Sequence, residues 1–180
     1  MSYIQVKEID RLLKGLLIII LVASLFSSIY CLQAYATTTT TNNQILINEV
    51  ELNPAGTDTG TEKVELYNPS NTGIDVSGWT ISSAAGRTAT VVINEGTTIP
   101  PNGYLIVGRD SQQQWLDNTG EGIDIRNDLG ILIDSVGPFS DQDNDESTWQ
   151  RSPDGQDSWV FSTSNTLSSA NFGSSDFDPE

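Results

Sequence analysis

Residues 45–79, ILINEVELNPAGTDTGTEKVELYNPSNTGIDVSGW, read as three short strands separated by turn clusters. The first, 45–52, is broken by Asn53-Pro54-Ala55-Gly56. The second, 63–67, ends at Asn68-Pro69-Ser70-Asn71, and the third, 74–81, carries Gly78 just before Trp79. Asn, Pro, Gly and Ser interrupt a ladder because they favour turn dihedrals or remove a backbone donor. Strands at this spacing predict an antiparallel β-sandwich and not a nucleotide-binding α/β unit.

The pattern continues downstream. Further strands are predicted at 88–94, 103–108, 122–126, 131–136 and 158–162, divided by Pro100-Pro101-Asn102-Gly103, Asn118-Thr119-Gly120, Asn127-Asp128-Leu129-Gly130 and Pro153-Asp154-Gly155. About eight strands result, with a short turn of helix at 110–115. Alternation places Val64 and Leu66 on one face with Glu65 opposite, and Leu132 on the side away from Ile131 and Ile133. The expected core is Ile47, Val64, Leu66, Ile74, Trp79, Ile81, Val92, Leu105, Val107, Leu132 and Trp159. A domain over 44–171 is long enough to bury a core without a disulfide.

The formal net charge is −16 in 180 residues. Beyond residue 36 there are five bases, Lys63, Arg87, Arg109, Arg126 and Arg151, against 22 acids. Phosphate backbones are bound by Lys/Arg clusters that release counterions, so nucleic-acid partners are excluded, and direct docking on anionic lipid is disfavoured. The chain has one cysteine, Cys31, and no histidine. That rules out a disulfide framework, zinc sites built from Cys and His, and any Ser-His-Asp or Cys-His catalytic set.

The N-terminal residues 1–36 form a targeting segment. Lys7, Arg11 and Lys14 precede the apolar run LLIIILVASLF at 16–26, and Ala34-Tyr35-Ala36 offers a small-x-small cleavage site after Ala36. The uncharged stretch 15–36 is also long enough for a membrane-spanning helix, which needs about 20 residues. Cleaved signal peptide and uncleaved signal anchor therefore both stand. Either way the basic flank stays inside and the rest is exported. Ser28-Ile29-Tyr30 before Cys31 does not fit a lipoprotein signal. A threonine-rich linker, 37–43, leads into the domain, and an acidic tail, 172–180, is expected to be disordered.

Ile47-Asn48-Glu49-Val50, Glu65-Leu66-Tyr67-Asn68-Pro69, Val76-Ser77-Gly78-Trp79 and Ile99-Pro100-Pro101-Asn102-Gly103-Tyr104-Leu105 stand in order, and together they resemble the lamin-tail domain family. Arg126-Asn127-Asp128-Leu129-Gly130, the stretch from Ser147 through Arg151 to Pro153-Asp154-Gly155, and Thr166 to Asn171 follow. At the last of these, Leu167 and Ser168 replace the family's Pro-Gly. The resemblance covers about 45–171. It implies an immunoglobulin-like β-sandwich that serves as an interaction module, of the prokaryotic type that is secreted or membrane-linked. It implies no catalytic set. Its motif residues have structural readings: Trp79 as a core anchor, and Glu49 and Glu65 as acceptors within the sheet or its turns.

Two features carry candidate chemistry. In Asp141-Gln142-Asp143-Asn144-Asp145-Glu146, alternate carboxylates Asp141, Asp143 and Asp145 are the residue type that binds Ca²⁺, although Glu146 and Ser152 stand where an EF-hand needs Gly and Glu. The competing reading is a solvated acidic loop. Trp115, Trp149 and Trp159, with Tyr67 and Tyr104, supply an aromatic platform or a core; Trp149, beside the acidic loop, is the foremost ligand-facing candidate. The expectation is an exported, non-catalytic module binding a protein or a cell-surface polymer, with membrane contact only through the N-terminal segment and no cofactor other than Ca²⁺. A calcium-dependent carbohydrate-binding module is the alternative, and an acidic hydrolase comes third.

Overall fold

The computed structural model describes residues 44–84, 89–109 and 114–171. The predicted N-terminal helix, the cleavage site, the linker and the acidic tail lie outside these residues. The described chain is all-β, and among the described residues no helix is long and apolar enough to cross a membrane. Gln114 and Trp115, the described part of the expected helical turn, are not helical.

Eleven strands run in order: β1 Leu46–Glu51, β2 Lys63–Tyr67, β3 Ile74–Asp75, β4 Thr80–Ser83, β5 Thr90–Val92, β6 Thr98–Ile99, β7 Tyr104–Gly108, β8 Thr119–Arg126, β9 Leu132–Ser140, β10 Thr148–Arg151 and β11 Trp159–Ser162. They form a five-stranded sheet, β11-β10-β1-β2-β7, a four-stranded sheet, β5-β4-β8-β9, and the small pair β3-β6. Every named strand pairing is antiparallel. One hydrophobic cluster draws on both large sheets, with Ile47, Val50, Val64 and Leu66 from one and Ile81, Ile123 and Ile125 from the other. Burying each such side chain contributes about 1.5–3 kcal/mol. This arrangement is consistent with an immunoglobulin-like sandwich.

The structure changes several strand readings: β6 is a strand not predicted, and β8 begins at Thr119, inside the turn expected at Asn118-Thr119-Gly120. The single strand expected at 74–81 is two, because Asp75 Oδ1 accepts the Ser77 N–H at 2.9 Å and Gly78 adopts φ +73°, turning the chain between them. The strand expected to stop at Val136 runs on to Ser140, through a Gly-Pro pair that reads locally as a turn. And β10, TWQR, is an interior strand that alternation does not reveal, since Thr148, Gln150 and Arg151 are buried polar residues.

The core changes likewise. Ile47, Val64, Leu66, Ile81 and Val107 are buried as expected, and Ile74, Trp79, Leu105 and Trp159 pack against them half-buried. Val92 (61% exposed) and Leu132 (46% exposed) face outward. In β5 it is Val91 that turns inward, and a register shift between Ile125 and Arg126 moves the β8–β9 hairpin off simple alternation. The fully buried tryptophan is Trp115, not Trp79.

Candidate functional site

A β-bulge in β1 builds the most densely bonded polar region. Ile47 pairs with Leu66 and Glu49 with Glu65, so Asn48 is an extra residue in the ladder. Asn48 Nδ2 donates to Glu65 Oε1 at 3.0 Å and to Asp154 Oδ1 at 2.9 Å, and its Oδ1 accepts the Gly155 N–H at 3.1 Å. Gly155 has φ +71°, and a Cβ there would meet the Tyr67 ring at 3.3 Å, which is why glycine follows Asp154. Asp154 also accepts the Asn171 N–H at 3.0 Å and the Tyr104 hydroxyl at 2.5 Å.

Glu49 and Glu65 lie opposite one another on β1 and β2, and both are fully buried. Glu49 Oε1 accepts from Thr148 Oγ1 at 2.8 Å, Gln150 Nε2 at 3.3 Å and the Thr166 N–H at 2.8 Å; its Oε2 accepts Thr166 Oγ1 at 2.8 Å. Glu65 Oε2 accepts the Ser168 N–H at 2.6 Å. Burial, the strongest influence, pushes the Glu65 carboxyl up to about 7 against the donors Asn48 and Ser168, with Glu49 and Asp154 adding repulsion. The two glutamates therefore fasten the closing segment 166–171 onto the larger sheet, the acceptor role expected of them. Arg151 completes the region from below: its Nε donates to Ile47 O at 2.7 Å, its Nη2 reaches Asp134 at 3.2 Å, and its guanidinium lies 4.9 Å from the Trp159 ring centre. Asp134 also accepts the Ile47 N–H at 2.9 Å, so one carboxylate on β9 ties the two large sheets together.

The acidic loop is arranged differently. Asp141 is buried, with Oδ1 accepting the Asp143 N–H at 3.0 Å. Asp143 is exposed. Asp145 Oδ1 accepts the Ser147 N–H at 2.7 Å, and the Ser147 hydrogen bonds hold its carboxyl below the ordinary aspartate value. Asn144 Nδ2 donates to Asn53 Oδ1 and Pro54 O at 3.3 and 3.1 Å, pinning the loop to the turn after β1. Among the described residues no group of three or more Asp, Glu, Cys or His side chains is placed to hold a metal ion, so Asp141, Asp143 and Asp145 are not gathered into one. Burial raises the Asp141 carboxyl above the ordinary value, with Asp145, Asp143 and Asp58 as repelling neighbours.

Trp149 sits half-buried on β10. Its ring stacks on Phe139 at 5.1 Å between centres and meets Phe161 at 5.3 Å, while Phe139 packs against Trp159 at 4.8 Å. Trp149 Nε1 donates to Ser140 O at 3.0 Å. The outer member, Phe161, is 40% exposed. Tyr67 and Tyr104 stack on each other at 5.2 Å beside Asp154, away from this cluster.

Sequence reasoning missed two further buried acids. Glu62 accepts the Trp115 and Leu116 N–H groups at 2.6 and 3.1 Å, and Glu121 accepts the Ser83 hydroxyl at 2.9 Å and the Asp117 N–H at 2.6 Å. It also missed Glu51, whose carboxyl is pushed up to about 8, chiefly by burial, with Asp141 the foremost repelling charge. Nothing in the sequence separates these glutamates from exposed ones: the backbone donors to Glu62 lie more than 50 residues away, the Ser83 donor to Glu121 lies 38 away, and the burial of Glu51 comes from the fold around it.

The comparisons with known proteins bear on this geometry. Neither the curated proteins nor the solved structures give a match. The lamin tail domain family pattern matches residues 38–167, which contain both large sheets together with Asn48, Glu49, Glu65 and Asp154. The chain belongs to the lamin tail domain family.

Proposed function

We propose that this chain is an exported, non-catalytic lamin-tail-like module, of the prokaryotic secreted or membrane-linked type, that binds a protein or a surface polymer outside the cytoplasm. One observation carries the reading. The buried carboxylates Glu49, Glu62, Glu65 and Glu121 and the half-buried Asp154 are engaged by the chain's own N–H, amide and hydroxyl donors. A carboxylate so engaged commits its oxygens to the fold's own donors and is not free to contact a substrate. With no histidine in the chain, no imidazole replaces it. Export is supported by the basic flank and apolar run of residues 1–36, which supply either a signal peptide or an anchor. The half-exposed aromatic face of Trp149 and Phe161 offers the kind of contact that sugar rings and peptides use.

The test is a pull-down of the full chain on isolated cell-surface polymers and on surface-protein extract, with and without chelator. Retention by one class, lost in Phe161→Ala, supports a binding module acting through this face. Chelator-sensitive retention on polysaccharide selects the calcium-dependent carbohydrate reading. Release of reducing sugar from the polymer would overturn the non-catalytic assignment. Recovery of the chain in the cytoplasmic fraction would overturn export.

A further inference from the structure

Among the described residues three side-chain oxygens are buried with no hydrogen-bond partner, Glu51 Oε1, Asn118 Oδ1 and Asp141 Oδ2, together with one donor, Trp115 Nε1. Glu51 and Asp141 are each more than nine-tenths buried. The contacts around them put all three in one neighbourhood. The Asp141 N–H donates to Asn118 O at 2.9 Å. Asn53 bonds the Glu51 carboxylate through its backbone, and its side-chain Nδ2 reaches Asp141 O at 3.4 Å. Asn118 uses its Nδ2 on Asp58 Oδ2 at 3.2 Å, and its amide oxygen is left without a donor.

Orphaned acceptors of this kind are rare, because a buried polar atom without a partner costs about 1–3 kcal/mol. The one orphaned donor is Trp115 Nε1, so what would satisfy the three oxygens is a proton held between the two carboxyls or a bound cation. No Lys or Arg forms an ion pair with Glu51 or Asp141 among the described residues. What the cluster lacks is positive charge. With both carboxyls ionised, as a bound cation would hold them, two carboxylates and one amide oxygen supply a charge of −2 and three hard oxygen donors, and Ca²⁺ accepts mixed carboxylate, amide, carbonyl and water oxygens in irregular geometry. Mg²⁺ demands a near-ideal octahedron and gives up its waters reluctantly, and structural zinc sites are built mainly from Cys and His.

We propose that Glu51, Asn118 and Asp141 form a calcium site that joins the end of β1, the approach to β8 and the start of the acidic loop. It shares Asp141 with the loop motif but not Asp143 or Asp145, and it stands whether or not the aromatic face binds a polymer. Calcium there would clamp three segments distant in sequence, and so act on stability.

The experiment is calorimetric titration of the metal-free full chain with CaCl₂, and with MgCl₂ as control, joined to thermal melts. Calcium is expected to bind with a stoichiometry of one at this site. At 100-fold excess over Kd it should raise Tm by about 5 °C or more, with a smaller response to magnesium. Glu51→Gln and Asp141→Asn should each weaken binding at least tenfold, while Asp143→Asn and Asp145→Asn leave it within twofold. Both amide variants remove buried charge, so they should melt no lower than the metal-free parent, and loss of binding in them is not loss of fold. If either melts lower, the wild-type titration and the loop variants still decide. No heat and no Tm shift in the wild type overturns the proposal, and means that a shared proton or a buried water fills the gap. So does calcium binding that Asp143→Asn abolishes and Glu51→Gln spares.

Discussion

Glu49 and Glu51 stand two residues apart on one strand, both buried, both on sheet positions opposite β2, yet their surroundings are opposite. Glu49 meets four donors from three residues, Thr148, Gln150 and Thr166. Glu51 keeps an oxygen with none. Around Glu49 every carboxylate has its donors, and the closing segment is held there. Around Glu51 acceptors outnumber donors, and Asp141 adds repulsion. Both carboxyls are taken out of water; what differs is whether the protein itself supplies the compensating donors.

The sharpest way to break the bonded end is Arg151→Ala. It deletes the ion pair to Asp134, the bonds to Ile47 O and Gln156 O, and the contact with Trp159. It leaves the half-buried Asp134 without its ion-pair partner, and these losses together should cost about 3–5 kcal/mol in urea unfolding.

The same isosteric change made twice then separates the two ends. Glu49→Gln replaces an acceptor oxygen by a donor among donors and should destabilise by about 2–3 kcal/mol. Glu51→Gln, in chelator, should be neutral or stabilise by about 1 kcal/mol. Equal losses in both variants would erase the contrast between them.

Glu65 gives the comparison a pH dependence. Its folded carboxyl titrates near 7, above the ordinary value of 4.5, so the folded state binds the extra proton in that interval. Its contribution is fully present below about pH 4.5 and is lost as pH rises through about 7. The groups facing it are Asn48, Ser168, Glu49 and Asp154. The wild type should therefore be more stable at pH 5.5 than at pH 8, and Glu65→Gln should remove about 1–2 kcal/mol of that difference in chemical denaturation at the two pH values. A difference that persists unchanged in Glu65→Gln assigns it elsewhere.

The smallest effect belongs to Asp143→Asn. Its side chain is exposed, so its melting temperature in chelator should match the wild type, within about 0.5 kcal/mol.

How much of this was legible in the sequence varies with the range of the interaction concerned. The strands at β1, β2, β7 and β11 were readable, because alternating apolar residues and Asn, Pro and Gly breakers act within a few neighbours. Asn68-Pro69 and Pro153-Asp154-Gly155 mark turns for the same local reason. β10 was not readable, since Thr148, Gln150 and Arg151 look like surface residues until β1 and the closing segment cover them. The aspartates of the loop were visible as a motif, and Trp149 as an aromatic beside it. That Asp143 faces solvent, Asp145 turns to Ser147, and Trp149 stacks on Phe139 were not.

By itself, then, the sequence determined the all-β class, the family, and the exclusion of histidine and cysteine chemistry, because these follow from residue type and short-range spacing. Only the tertiary structure decided which of the acids are buried and whether each finds donors. Glu49 and Thr166 are 117 residues apart, as are no two residues within the reach of a local pattern. A carboxylate's role depends on the donors that the fold brings to it, and in a chain this acidic only the fold tells Glu49 from Glu51.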